Sequence, residues 1–76
     1  MEMTNKYKII LNNWDKRKVT ELAQARTCNE GRVIFRDKCK ELKKSGFDNL
    51  ANIDLVRVRD DEIIETRYLN LPRMKA

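Results

Sequence analysis

The chain contains no histidine, two cysteines, two glycines, one proline and five aromatic residues among 76. Without imidazole there is no His-based acid–base chemistry, no Cys–His nucleophile pair and no zinc site of the Cys–His kind. Cys28 and Cys39 are eleven residues apart, match no metal or redox spacing, and two thiols cannot close a four-coordinate site. The longest apolar runs reach three residues, as in Ile9–Leu11, far short of a signal-peptide hydrophobic segment or a membrane span. No Gly-rich phosphate loop, carboxylate pair in a plausible pocket or activated serine is visible. The expectation is a protein that is not an enzyme, needs no metal or cofactor, does not enter a membrane, and keeps reduced thiols in a cytoplasm, the host cytoplasm if it is virus-encoded.

What is present is charge. Seventeen Lys plus Arg against twelve Asp plus Glu leave a net +5, and 38% of residues are charged. A chain of this size makes one domain, residues 1–76, in which 1–4 and 73–76 are expected to fray. Its core is small, so a sizeable enclosed active site is not expected.

With so little Gly and Pro, the existing breaks in pattern carry the organisation. Tyr7, Ile9 and Leu11 alternate with Lys6, Lys8 and Asn12, the period of a half-buried strand, and Asn12, Asn13 and Asp15 supply turn chemistry around Trp14. Residues 18–27 fit either a helix or a second strand. The strand is preferred because it gives the first one a hairpin partner. A helix follows, with Asn29 as N-cap, Cys28 and Val33 as a hydrophobic staple, and Gly46 just past its end behind Lys43 and Lys44. At 3.6 residues per turn its core side carries Phe35, Cys39 and Leu42, flanked by Ile34 and the stem of Lys38.

Ile53–Arg59 and Ile63–Asn70 then read as two strands divided by Asp60, Asp61 and Glu62, with Pro72 ending the second. The acidic triplet is read as a turn in preference to a cation site. Placing Arg59 opposite Ile63 groups Val56, Val58, Ile64 and Tyr68 on one face and Arg57, Arg59, Glu65 and Arg67 on the other, with Arg57 facing Glu65. The expected fold is α+β, a small ββαββ domain whose antiparallel sheet carries one helix on one face.

The charge is unevenly spread: residues 1–46 hold twelve cationic and six anionic side chains, residues 47–76 five and six. On the helical wheel Arg32, Arg36, Lys40, Lys43 and Lys44 share the sector opposite the core, and Lys16, Arg17 and Lys18 cluster in the first turn. Such a stripe suits a phosphate backbone, and nothing resembles a recognition helix with base-reading Asn or Gln, so RNA is preferred to duplex DNA. Against this stands a plain solvated helix face, partly neutralised by Asp37 and Glu41. Arg57, Arg59 and Arg67, with Lys6 and Lys8, form a secondary basic sheet face, but with Phe35, Phe47 and Tyr68 assigned to the core it lacks aromatics for base stacking. Trp14, beside Lys16 and Arg17, is a candidate stacking or anchoring ring, or else a cover over the core edge. Cys39, among lysines, would have a lowered pKa if exposed.

The rival expectation is a non-enzymatic inhibitor or adaptor that docks on an acidic protein such as a nuclease. In size, charge density and lack of a catalytic set the chain resembles small phage accessory proteins that neutralise host or defence enzymes. A homodimer is compatible with either reading, since Ile53, Leu55, Ile63 and Leu69 would otherwise face water.

Overall fold

A computed structural model describes residues 5–70; the termini expected to fray and Pro72 lie outside them. The first alternating run forms β1 (Tyr7–Asn13) and the ambiguous segment forms β2 (Lys18–Ala25). The strand wins at 18–25 because it pairs along the full length of β1, from Tyr7 opposite Ala25 to Asn13 opposite Lys18. Then come α1 (Cys28–Lys44), β3 (Ala51–Arg57) and β4 (Glu62–Leu69), giving an antiparallel sheet of order β2-β1-β3-β4. The helix packs over β2, β1 and β3 on one face, which is the ββαββ arrangement expected. Among the described residues no helix is long and apolar enough to cross a membrane.

The N-cap of α1 is Thr27, two residues earlier than expected. Its Oγ1 accepts from the Glu30 backbone N–H at 3.1 Å, while Glu30 Oε1 accepts from the Arg26 N–H at 2.8 Å. This is a Thr-x-x-Glu capping arrangement that reaches one residue further back than usual. The shift dissolves the Cys28–Val33 staple, and Val33 is left exposed. At the other end Ser45 N–H donates to the Glu41 carbonyl, and Gly46 takes the left-handed conformation, φ +82°, that a side chain would resist.

The core side of α1 falls where the wheel put it. Phe35 and Cys39 are buried over Ile9, Leu11, Ala51, Ile53, Leu55 and Leu69, and Ile34 and Leu42 pack at its margin. Gly31 makes the closest approach: a Cβ there would lie 2.9 Å from Leu55 Cδ1 and 3.7 Å from Ala25 Cβ. The small residue lets the first turns of the helix settle directly on β2 and β3.

Both thiols are free, and burial pushes the Cys39 thiol up despite the opposing influence of Arg67 and Lys43. The low-pKa cysteine considered from the sequence is therefore not found, because desolvation outweighs its cationic neighbours. Iodoacetamide at neutral pH should alkylate the half-buried Cys28 at least ~10-fold faster than Cys39, as peptide mapping of a time course would show. Equal rates would mean that the helix lifts off the sheet.

The register of the second hairpin differs from the expected one; Val56 still shares a face with Tyr68, and Arg57 with Glu65 and Arg67, but the helix covers the second of these faces and not the first. Arg57 pairs with Glu62, Val56 with Ile63, and Leu55 with Glu65, leaving Ile64 as an extra, bulged residue. The connection is Val58–Asp61, with Asp61 in the left-handed region, and Arg57 clamps Asp60 and Glu62 across it. That hydrogen-bonded Arg57 guanidinium holds the Asp60 carboxyl below its usual range. Arg57 thus spends its charge on the turn and does not face Glu65. The acidic triplet serves the turn, since Asp61 also lies 3.7 Å from Lys8.

Because α1 packs on their face, Ile53, Leu55 and Leu69, expected to face water and to invite a second copy, are core residues, and only Ile63 of that set is exposed. Val58 and Tyr68, expected inside, are exposed, and Val56 is buried on the face away from the helix. A matching bulge at Leu22 in β2, between the Ile9–Ala23 and Ile10–Glu21 pairs, turns that leucine toward the core.

Candidate nucleic-acid interface

Strand direction places the basic groups. Asn13 at the end of β1 pairs with Lys18 and Ala51, and Ala51 pairs with Leu69. The turn Trp14–Arg17, the start of β3 and the end of β4 therefore lie at one end of the sheet. Because α1 runs into β3 through residues 45–50, its C-terminal turn with Lys43 and Lys44 lies at that end too.

The turn itself is rigidly held. Asn13 Oδ1 accepts from the Lys16 N–H at 3.0 Å, and Arg17 adopts φ +52° to close the hairpin. Asp15 accepts from the Leu50 N–H at 2.8 Å and from Asn49 Nδ2 at 3.3 Å, while the Trp14 N–H donates to the Leu50 carbonyl. Asp15 is thereby used to tie the turn to the α1–β3 connection. Lys16, Arg17 and Lys18 are exposed around it and make no ion pair among the described residues.

On the helix, Arg36, Lys40, Lys43 and Lys44 are exposed and likewise form no ion pair among the described residues. Arg32 is different. Its Nη1 lies 2.8 Å from Glu65 Oε1 on β4, so this member of the sector is tied down to the sheet. Lys38 pairs within the helix with Glu41. The outward cations are thus four of the five read from the wheel, joined at one end by the three of the turn.

The secondary basic sheet face does not exist as such. Arg67 and Arg57 have the helix-side parity of Ile53 and Leu55, Arg59 lies in the β3–β4 connection, and Lys8, with Lys6 two residues before it, has the parity of the face away from α1. The exchange of inner and outer faces that misplaced Arg57 and Arg67 also concealed what the open face does carry. Tyr68, opposite Asn52, stands on the open face, 56% exposed, with its ring centroid 6.2 Å from that of Trp14 and the two planes at 73°. Trp14 is 44% exposed, so it is not a lid over the core, and its Nε1 donates to Asn52 Oδ1 at 2.7 Å.

Beneath the rings lies a polar network that sequence reasoning did not single out. Asp54, 7% exposed, accepts from Asn52 Nδ2 and Thr66 Oγ1, both at 2.9 Å, and from Asn12 Nδ2 at 3.4 Å. Every donor aimed at this carboxylate comes from the open face of β1, β3 or β4, so the network fixes the three strands side by side. The available signal was the alternation Asn52-x-Asp54 beside Ala51-x-Ile53-x-Leu55, which puts polar residues on one face and apolar ones on the other. Comparison with known protein families, curated proteins and solved structures returns no match.

Proposed function

We propose that this chain is a non-enzymatic protein that binds the phosphate backbone of RNA, using Arg36, Lys40, Lys43 and Lys44 of α1 together with Lys16, Arg17 and Lys18 of the β1–β2 turn. The observation that carries the reading is that these seven cations are exposed, have no acidic partner among the described residues, and run from the middle of α1 to the end of the sheet where the β1–β2 turn lies. A face serving solubility alone would do as well with interleaved Lys–Glu pairs, as at Lys38–Glu41. Unpaired cations in a row are the arrangement that gains from releasing the counterions condensed on a nucleic acid. RNA is chosen over duplex DNA because the outward face of α1 offers no series of Asn or Gln to read a major groove.

Fluorescence anisotropy of a labelled RNA, repeated from low to high salt, tests it. Log affinity should fall linearly with log salt with a slope of roughly −4 to −5 if most of the seven cations each meet a phosphate. No binding at low salt, or binding indifferent to salt, would overturn the proposal. Co-purification with an acidic protein in place of nucleic acid would transfer the same surface to an inhibitor.

A further inference from the structure

The open sheet face at the Trp14 end has the parts of a base-binding platform, and they come from four different segments. Trp14 directly follows β1, Arg17 and Lys18 lead into β2, Asn52 is on β3 and Tyr68 on β4. Asn12, Trp14, Arg17, Lys18, Val19 and Asn52 line a shallow concavity of about 380 Å³ on this face. The two rings meet edge to face, so their contact consumes at most one ring face. The exposed aromatic surface is held in place rather than loose: the indole donates to Asn52, which is in turn fixed by Asp54.

The rings are not isolated from the cations. Tyr68 and Lys43 line one further concavity, of about 180 Å³, together with Leu42, Phe47, Leu69 and Asn70 at the β4 edge. A chain bound along α1 can therefore pass Lys43 and Tyr68 and turn onto the open face beside Trp14, with Arg17 and Lys18 at its far side. A duplex cannot follow that path around a sheet edge, and its bases would be closed to the rings. A single strand can do both.

We infer that Trp14 and Tyr68 stack unpaired bases of single-stranded RNA, with Lys43 on one side and Arg17 and Lys18 on the other holding the flanking phosphates. This rests on the RNA-binding reading above and adds the strandedness of the ligand and the residues that sense its bases. Among the described residues the carboxylates beside the platform are engaged: Asp54 by its three donors, Asp15 by the Leu50 N–H and Asn49, and Glu21 by Gln24 on β2. Base stacking on an aromatic side chain is tolerant of sequence, so unstructured pyrimidine-rich strands are the natural ligands.

The test uses a labelled 12-nucleotide oligouridylate, an RNA duplex of equal length, and heparin as a polyanion without bases. Trp14 is the one tryptophan of the chain, so its emission reports directly on the platform. The oligouridylate should quench it at saturation while heparin, occupying the cations, leaves it nearly unchanged. Trp14→Ala and Tyr68→Ala should each weaken oligouridylate binding ~10-fold or more without altering the salt slope, and Trp14→Phe and Tyr68→Phe should restore most of it. Should Trp14→Ala fail to fold by circular dichroism, the exposed Tyr68→Ala decides the matter. Wild-type affinity in Tyr68→Ala, or tighter binding of the duplex, overturns the platform while leaving the phosphate-binding reading intact. Failure of the wild-type protein to bind any of the three probes overturns both.

Discussion

The double charge reversal R36E/K40E should lower RNA affinity by roughly two to three orders of magnitude at 0.1 M salt. Two phosphate contacts are lost and two repulsions are created in the middle of the outward face of α1, where neither residue has an acidic partner among the described residues. The salt slope should become shallower by about 1.4, the share of two single-strand contacts. Because both side chains are exposed and make no ion pair among the described residues, thermal stability should move by no more than about 0.5 kcal/mol. Arg32→Glu is the informative companion. It breaks the contact with Glu65 and should loosen the helix from β4 while changing RNA affinity far less, since that guanidinium is already engaged. Anisotropy titrations of the two variants at matched salt separate these outcomes, and equal affinities for wild type and R36E/K40E would remove α1 from the interface.

Phe35→Ala is expected to bring the protein to the edge of unfolding. The ring is fully buried at the centre of the layer between α1 and the sheet, in a cluster with Ile9, Leu11, Ile53 and Leu55. Truncating a buried Phe costs about 3–5 kcal/mol, against about 4–11 kcal/mol in total for a domain of 76 residues. A drop in Tm of roughly 15–30 °C follows. Phe35→Leu, which retains most of the volume, should cost on the order of 1 kcal/mol, and Val33→Ala, on the exposed side of the same helix, less than about 0.5 kcal/mol. Urea or thermal denaturation followed by far-ultraviolet circular dichroism gives all three. A Phe35→Ala melt within a few degrees of wild type would contradict the packing described.

The elements were legible in the sequence, and so was the buried side of the helix. Phe35, Cys39 and Leu42 recur at helical spacing, and the turn residues at 12–15 and 60–62 set off strand-like runs at 7–11, 53–59 and 63–70, whereas 18–27 fitted helix or strand and was settled by its pairing with β1. Register was less legible. Ile63 and Ile64 are adjacent, so either can be the inward residue, and a strict alternation cannot express a bulge that changes parity partway along β4. Which face lies inward was a separate ambiguity: Val56 does share a face with Tyr68, and Arg57 with Arg67, but the helix covers the face of Ile53, Leu55 and Leu69, which leaves Tyr68 outside. The N-cap was readable: Thr27 followed by Glu30 is the capping signature, and Asn29 competed because it too is a good cap residue. Of the candidate interface, the outward cations could be read from helical periodicity alone, whereas the Arg32–Glu65 pair and the Trp14–Tyr68 pair each join residues more than thirty positions apart and depend on strand order.

The paired bulges bear on how the protein behaves at high concentration. β2 and β4 are the outer strands, each with a row of backbone groups that no neighbouring strand occupies. Such edges are templates for runaway strand addition, the first step toward fibrils and swapped assemblies. An incoming chain would need to add hydrogen bonds in unbroken step along the edge, and the extra residue at Leu22 or Ile64 breaks the step midway. The devices that turn two aliphatic side chains inward are thus also of the kind that discourages a sheet from spreading edge to edge from one copy to the next.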